Sequence, residues 1–84
     1  MSYYVYILRC ADNTLYTGIT NDLAARVTAH NEGKTAAKYT RARRPVVLVY
    51  REQAADRSSA LRREHSIKAL DRQSKELLIK TGDC

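Results

Sequence analysis

Tyr6, Tyr16, Arg26, His30 and Glu64 are the side chains of this sequence whose types and spacing could do chemistry. Two hydroxyls, a guanidinium, an imidazole and a carboxylate can between them move a proton, hold negative charge and bind a divalent cation. Two of the five contradict the pattern around them. On a helical wheel with Leu23 at zero, Val27 falls at about 40°, His30 at about 340° and Arg26 at about 300°. His30 therefore shares the apolar face of Leu23 and Val27, and Arg26, one turn earlier, is its neighbour on one edge. With Ala60 at zero, Ile67 falls at about 340°, Glu64 at about 40° and Leu61 at about 100°. Glu64 is thus expected in the middle of an apolar stripe.

A carboxylate buried without a partner costs several kcal/mol even after relaxation. An internal salt bridge to Arg or Lys offsets that cost, and so does a divalent metal bound at a cleft. Taken alone, His30 reads first as a hydrogen-bonded core histidine, and each tyrosine as sheet packing.

The elements that must position these groups follow from local signals. Tyr3 to Cys10 is rich in aromatic and β-branched residues and reads as a strand; Asp12-Asn13 is a turn, and Leu15 to Thr20 is the returning strand. Gly18 within that strand signals close approach of another group. Thr20, Asn21 and Asp22 offer N-cap oxygens for a helix from Asp22 to Asn31, with Gly33 as its stop. Pro45 ends a basic loop running from Lys34 to Arg44, and Val46 to Tyr50 reads as a third strand covered on both faces. Asp56 can cap a helix to Ala69, and Asp71 a shorter one ending near Gly82. The order β-β-α-β-α-α predicts an α+β fold: one small antiparallel sheet of three strands flanked by helices. Alternation along strands adds a condition. A loop of two or four residues would place Tyr6 and Tyr16 on opposite faces, whereas a three-residue loop or one bulge would place them on the same face.

Eighty-four residues make one domain, 1–84, with little stability to spare for idle polar groups in its core. There is no Trp or Phe but there are six Tyr, which pack a ring and still offer a hydroxyl. No apolar run reaches the roughly 18 residues of a transmembrane helix, and no signal peptide is readable, so no membrane role is expected. Cys10 and Cys84 are expected as free thiols in a reducing cytoplasm, with a disulfide between them as the alternative. Two cysteines without clustered histidines do not make a zinc site.

The net charge of +6 is concentrated. Residues 1–33 sum to −1, and the chain beyond residue 51 to +1. Between them Lys34, Lys38, Arg41, Arg43, Arg44 and Arg51 meet no acid. A focused basic segment that also carries Thr35, Tyr39 and Thr40 points to nucleic acid, the bland reading being a solubilising loop. Lys34, Lys38, Tyr39, Arg41, Arg43 and Arg44 are the expected contacts.

With these pieces in place, the sequence resembles a GIY-YIG nuclease domain, of the small stand-alone bacterial type. Tyr4-Val5-Tyr6 stands where the family has Gly-Ile-Tyr, and Tyr16-Thr17-Gly18 where it has Tyr-Ile-Gly. Arg26-x-x-x-His30-Asn31 matches its helix motif, and Ala60-Leu61-Arg62-Arg63-Glu64 the segment bearing its metal carboxylate. The segments His30 to Lys34, Tyr39-Thr40 and Arg44-Pro45 extend the likeness, which also covers the nuclease domain of structure-specific junction endonucleases. Tyr4 and Thr17 depart from the motifs without removing a catalytic group.

The resemblance implies a metal-dependent endonuclease that cuts DNA, in repair or processing, leaving a 5′ phosphate and a 3′ hydroxyl. Glu64 would hold one Mg²⁺ or Mn²⁺, Arg26 would stabilise transition-state charge, Tyr6 with His30 would activate water, and Tyr16 would orient phosphate or water. Either Tyr6 or His30 could be the general base. DNA is the implied partner, RNA the alternative, and a protein partner could supply specificity. The competing reading is a nucleic-acid-binding module with weak or no catalysis.

Overall fold

In the computed structural model the described residues are 2–32 and 43–81. They form β1 (Tyr3–Arg9), β2 (Leu15–Thr20), α1 (Leu23–Glu32), β3 (Val47–Ala54), α2 (Arg57–Lys68) and α3 (Arg72–Thr81). The sheet is antiparallel with strand order β2-β1-β3, so β1 is paired on both sides. This is the expected α+β architecture and element order. Among the described residues no helix is long and apolar enough to cross a membrane.

Each helix starts where a side-chain oxygen meets a free backbone N–H. Asp22 accepts from Ala25 N at 3.1 Å, Asp56 from Ser59 N at 2.8 Å and Asp71 from Ser74 N at 2.7 Å. These bonds hold the Asp56 and Asp71 carboxyls below the usual carboxylate range. The Gly33 stop lies outside the described residues.

Strand alternation sorts the core into two sides. Val5 and Ile7 point one way and pack with Tyr50, Ala60 and Ile67, backed by Leu78 and Ile79; this side carries α2 and α3. Tyr6 and Leu8 point the other way and pack with Cys10 and Val46, backed by Leu23 and Val27 of α1. Ion pairs tie the outer helices down. Arg9 grips Glu76 of α3 with two hydrogen bonds, 2.9 and 2.6 Å. That fork, helped by Arg72, pulls the Glu76 carboxyl down to about 2. Arg63 of α2 reaches Glu52 of β3 at 2.8 Å, and Tyr50 donates to the same carboxylate at 2.7 Å.

The third strand departs from expectation. It runs on to Ala54 and lies at a sheet edge. The register jumps between Ile7↔Tyr50 and Leu8↔Leu48, which leaves Val49 as a bulge. The bulge lets Val49 and Tyr50, consecutive in sequence, pack on the same side while Leu48 packs on the other. Cover on both faces therefore holds for Leu48–Tyr50 but fails at Val47, which is 60% exposed.

Asn31 joins the end of α1 to the chain entering β3. Its side chain accepts from Val46 N–H at 2.7 Å and donates to Val46 C=O at 3.0 Å. Val46 is buried, so replacing Asn31 by Ala strands a backbone donor and an acceptor. We expect Asn31→Ala to lower the unfolding free energy by about 1–3 kcal/mol in urea titrations; an unchanged midpoint would show that water replaces the clamp.

Candidate active site

The hairpin decides whether the two tyrosines meet. Cys10 N donates to Thr14 O at 2.8 Å and Asn13 N to Cys10 O at 2.9 Å, closing a loop of Ala11, Asp12 and Asn13. Asn13 takes φ 68°, the left-handed residue such a loop needs. Asp12 braces the turn by accepting from Thr14 N at 3.1 Å and Thr14 Oγ1 at 2.6 Å. The count is odd, and the register pairs Tyr6 with Gly18 and Leu8 with Tyr16. Both tyrosines therefore stand on the α1 face.

Gly18 is required by contact. A Cβ there would lie 2.6 Å from Tyr6 Oη and 2.8 Å from Tyr6 Cζ. The Tyr6 ring thus lies over the neighbouring strand at the position that lacks a side chain. Across it, α1 delivers the other groups. Tyr6 Oη is 3.0 Å from His30 Nε2, and Arg26 Nε donates to Tyr6 Oη at 3.3 Å. Tyr16 stacks edge-on against His30 with centroids 5.1 Å apart, and lies 6.4 Å from the Tyr6 ring.

Burial sets the protonation states. Tyr6 and His30 are 1% and 0% exposed, while Tyr16 and Arg26 are half-buried and form the open side. Desolvation raises the Tyr6 phenol above 10, against the hydrogen bond and charge of Arg26. Desolvation also lowers His30 below 6.5, and the charges of Arg26 and Arg44 lower it further. At neutral pH the pair is a neutral phenol and a neutral imidazole. With the imidazole proton on Nδ1, Tyr6 donates to Nε2 while accepting from Arg26. Hydrogen bonds to Tyr6 and Tyr16 favour the charged form of Arg26.

Glu64 is placed differently from its wheel position. Its side chain is 18% exposed and pairs with Lys68, one turn on, at 3.5 Å. Ala60 and Ile67 alone form the buried stripe of α2. Glu64 lies between these two along the helix but is half-buried and ion-paired, so the expected burial in mid-stripe is corrected to partial burial. The carboxylate is nonetheless near enough for its charge to oppose ionisation of Tyr6. The structure thus groups Tyr6, Tyr16, Arg26 and His30 by direct contact, whereas Glu64, on the helix that packs against the other side of the sheet, is linked to them through its charge on Tyr6.

The basic loop is placed only in part. Lys34, Lys38, Tyr39 and Arg41 lie outside the described residues. Arg43 pairs with Asp12 at 2.9 Å, and Arg44 Nε donates to His30 O at 2.6 Å at the end of α1. Both arginines therefore have structural bonds, whatever else they contact. Cys10 is a buried free thiol, and Cys84 lies outside the described residues. Sequence reasoning gave no role to Asn31; an amide in the last turn of a helix was the available signal.

Comparisons with known proteins agree with one another. Residues 2–77 match the family described as the GIY-YIG catalytic domain. A UPF0213 protein of Desulfotalea psychrophila is 52% identical over 82 residues, covering 98% of this chain and 74% of that protein. A UPF0213 protein of Staphylococcus haemolyticus is 54% identical over 77 residues, 92% of this chain and 93% of that one. The solution NMR structure of a UPF0213 protein from Bacillus halodurans superposes with TM-score 0.61 at 44% identity, covering 95% of this chain and 84% of that chain.

Two measurements check this geometry. Gly18→Ala should push Tyr6 from its place, cost about 1–3 kcal/mol of stability and alter the His30 imidazole NMR signals; unshifted signals would mean that the strand yields instead. His30 also makes stability depend on pH. Its native value lies below its unfolded one, so the unfolded chain alone takes up the proton in that window and stability falls as pH drops from 6.5. Urea unfolding at pH 7 and pH 5 should differ more for the wild type than for His30→Gln; equal differences would remove His30 as the cause.

Proposed function

Since the chain belongs to the GIY-YIG catalytic-domain family, whose activity is that of nucleases, we propose that it is a divalent-metal-dependent endonuclease of DNA, working in repair or processing. The observation that carries this reading is the chain of hydrogen-bonding groups Arg26, Tyr6 and His30, with the carboxylate of Glu64 near enough for its charge to act on Tyr6.

The donor set fits a hard cation. Mg²⁺ and Mn²⁺ are met by one or two carboxylates together with water and substrate phosphate, so a single glutamate on the rim is enough. Among the described residues no group of three His, Cys, Asp or Glu gathers to suit zinc. Glu64 would hold the ion, exchanging its contact with Lys68 for it. Such an ion, when bound, supplies Lewis-acid polarisation of the phosphate and stabilises the leaving oxygen.

The remaining chemistry belongs to the protein. A free tyrosine is ionised only about 0.1% at pH 7, and burial makes Tyr6 harder still to ionise. A standing phenolate is therefore a poor choice of base. His30 has the right proton affinity but is fully enclosed, and its hydrogen bond with Tyr6 Oη gives a proton a route to it. The two act together. Attacking water gives a proton to Tyr6 Oη as Tyr6 passes its own to His30 Nε2. Imidazolium is disfavoured by burial and then by the charges of Arg26 and Arg44, so His30 releases the proton readily after the reaction. The guanidinium of Arg26, fixed before substrate arrives, offers positive charge to the phosphorane-like transition state. Tyr16, half-buried on the open side, orients phosphate or water. The products are a 5′ phosphate and a 3′ hydroxyl. A protein partner would supply specificity.

Labelled DNA incubated with Mg²⁺ or Mn²⁺ tests the proposal. Arg26→Ala and Glu64→Gln should each lower cleavage by about a hundredfold or more while keeping DNA binding. Equal cleavage by all three proteins would sink the nuclease reading. Salt-sensitive binding without cleavage by the wild type would leave a nucleic-acid-binding module.

A further inference from the structure

β1 carries three tyrosines, and two of them are accounted for. Tyr3 packs against the core under α2 and α3, and Tyr6 belongs to the core under α1. Tyr4 joins neither cluster. Strand alternation places it on the face of Tyr6, one pleat away, about 6.6 Å along the strand. Its cross-strand neighbours are Thr20 and Gln53, and it is half-buried.

The other cross-strand neighbour of Tyr6, opposite Gly18, is Arg51. Arg51 is exposed on the edge strand and shares that face. Among the described residues neither the Tyr4 nor the Arg51 side chain has a hydrogen bond, ion pair or ring contact. An arginine with no acid to hold it, beside an aromatic with no ring to pack on, is an unusual pair to find one step from a candidate phosphodiesterase centre. Arg26 and Arg51 thus stand on opposite sides of Tyr6.

We propose that Tyr4 and Arg51 form a subsite for the nucleotide next to the scissile phosphate, Tyr4 stacking on its base and Arg51 meeting a neighbouring phosphate. The occupant is an unpaired stretch of strand. A base inside a duplex already has neighbours on both π-faces, whereas an unpaired base can turn one face to an aromatic ring. The charge of the chain, +6, suits that polyanion. This subsite rests on the proposed nuclease reading and adds a substrate preference to it.

Fluorescence anisotropy in EDTA tests binding without turnover, with oligothymidine, oligouridine and a DNA duplex of equal length as probes. Tyr4→Leu should weaken single-strand binding roughly tenfold, Tyr4→Phe should keep wild-type affinity because the ring does the stacking, and duplex binding should be unchanged. A loss confined to the deoxy strand marks DNA as the occupant, and one confined to the ribo strand marks RNA. Arg51→Ser, at an exposed position that does not threaten folding, should flatten the salt dependence on single strands by about 0.7 in slope. Unchanged single-strand affinity in Tyr4→Leu, an equal loss on duplex, or an unchanged slope in Arg51→Ser would each overturn the subsite. If Arg26→Ala and Glu64→Gln cleave normally, the catalytic reading fails while these binding results stand on their own.

Discussion

A hydrogen bond between two side chains with almost no access to water, Tyr6 and His30, holds the central strand to α1. In so dry a place an unmet polar atom is costly, so the pair constrains everything around it. Arg26 must lie where it can cap the phenol, Gly18 must leave room for the ring, and Arg44 meets the carbonyl of His30. Among the described residues no buried side-chain nitrogen or oxygen lacks a partner. The same contact that fixes α1 on the sheet also fixes the orientation of the imidazole.

How much of this the residues reveal depends on the kind of signal. His30 was legible because an imidazole in an apolar stripe has to be buried, and Gly18 because a glycine inside a strand marks close approach. The caps at Asp22, Asp56 and Asp71 were legible because they act within one turn. Glu64 was set too deep because a wheel knows the face of a helix but not how much of that face the sheet covers, and its side chain keeps 18% exposure and meets Lys68. β3 was misjudged for a related reason: the run Val46 to Tyr50 looks uniformly apolar, and only pairing with β1 shows the bulge at Val49. Arg43 and Arg44 sit in a segment without acids, yet their partners, Asp12 and the carbonyl of His30, lie far away in sequence.

The two sides of the sheet divide the labour. The side under α2 and α3 is built from aliphatic packing, closed by the ion pairs of Glu76 and Glu52. The side under α1 mixes packing with polar contacts and holds the candidate site. β1, paired on both edges, is the shared wall. A domain of this size has one strand to spend on both tasks, and alternation lets consecutive residues, Val5 and Tyr6, serve opposite sides.

Hairpin tips are usually where a lineage can gain or lose residues freely, since they face solvent and carry little packing. The three-residue turn at Ala11, Asp12 and Asn13 has that freedom only while it hands over the same pairing. A change of length that kept Cys10 opposite Thr14 would leave Leu8 facing Tyr16 and Tyr6 facing Gly18. A slip of one residue in the pairing itself would turn Tyr16 to the far side of the sheet. What the interior fixes is therefore not how many residues cross the tip but which two meet beneath it.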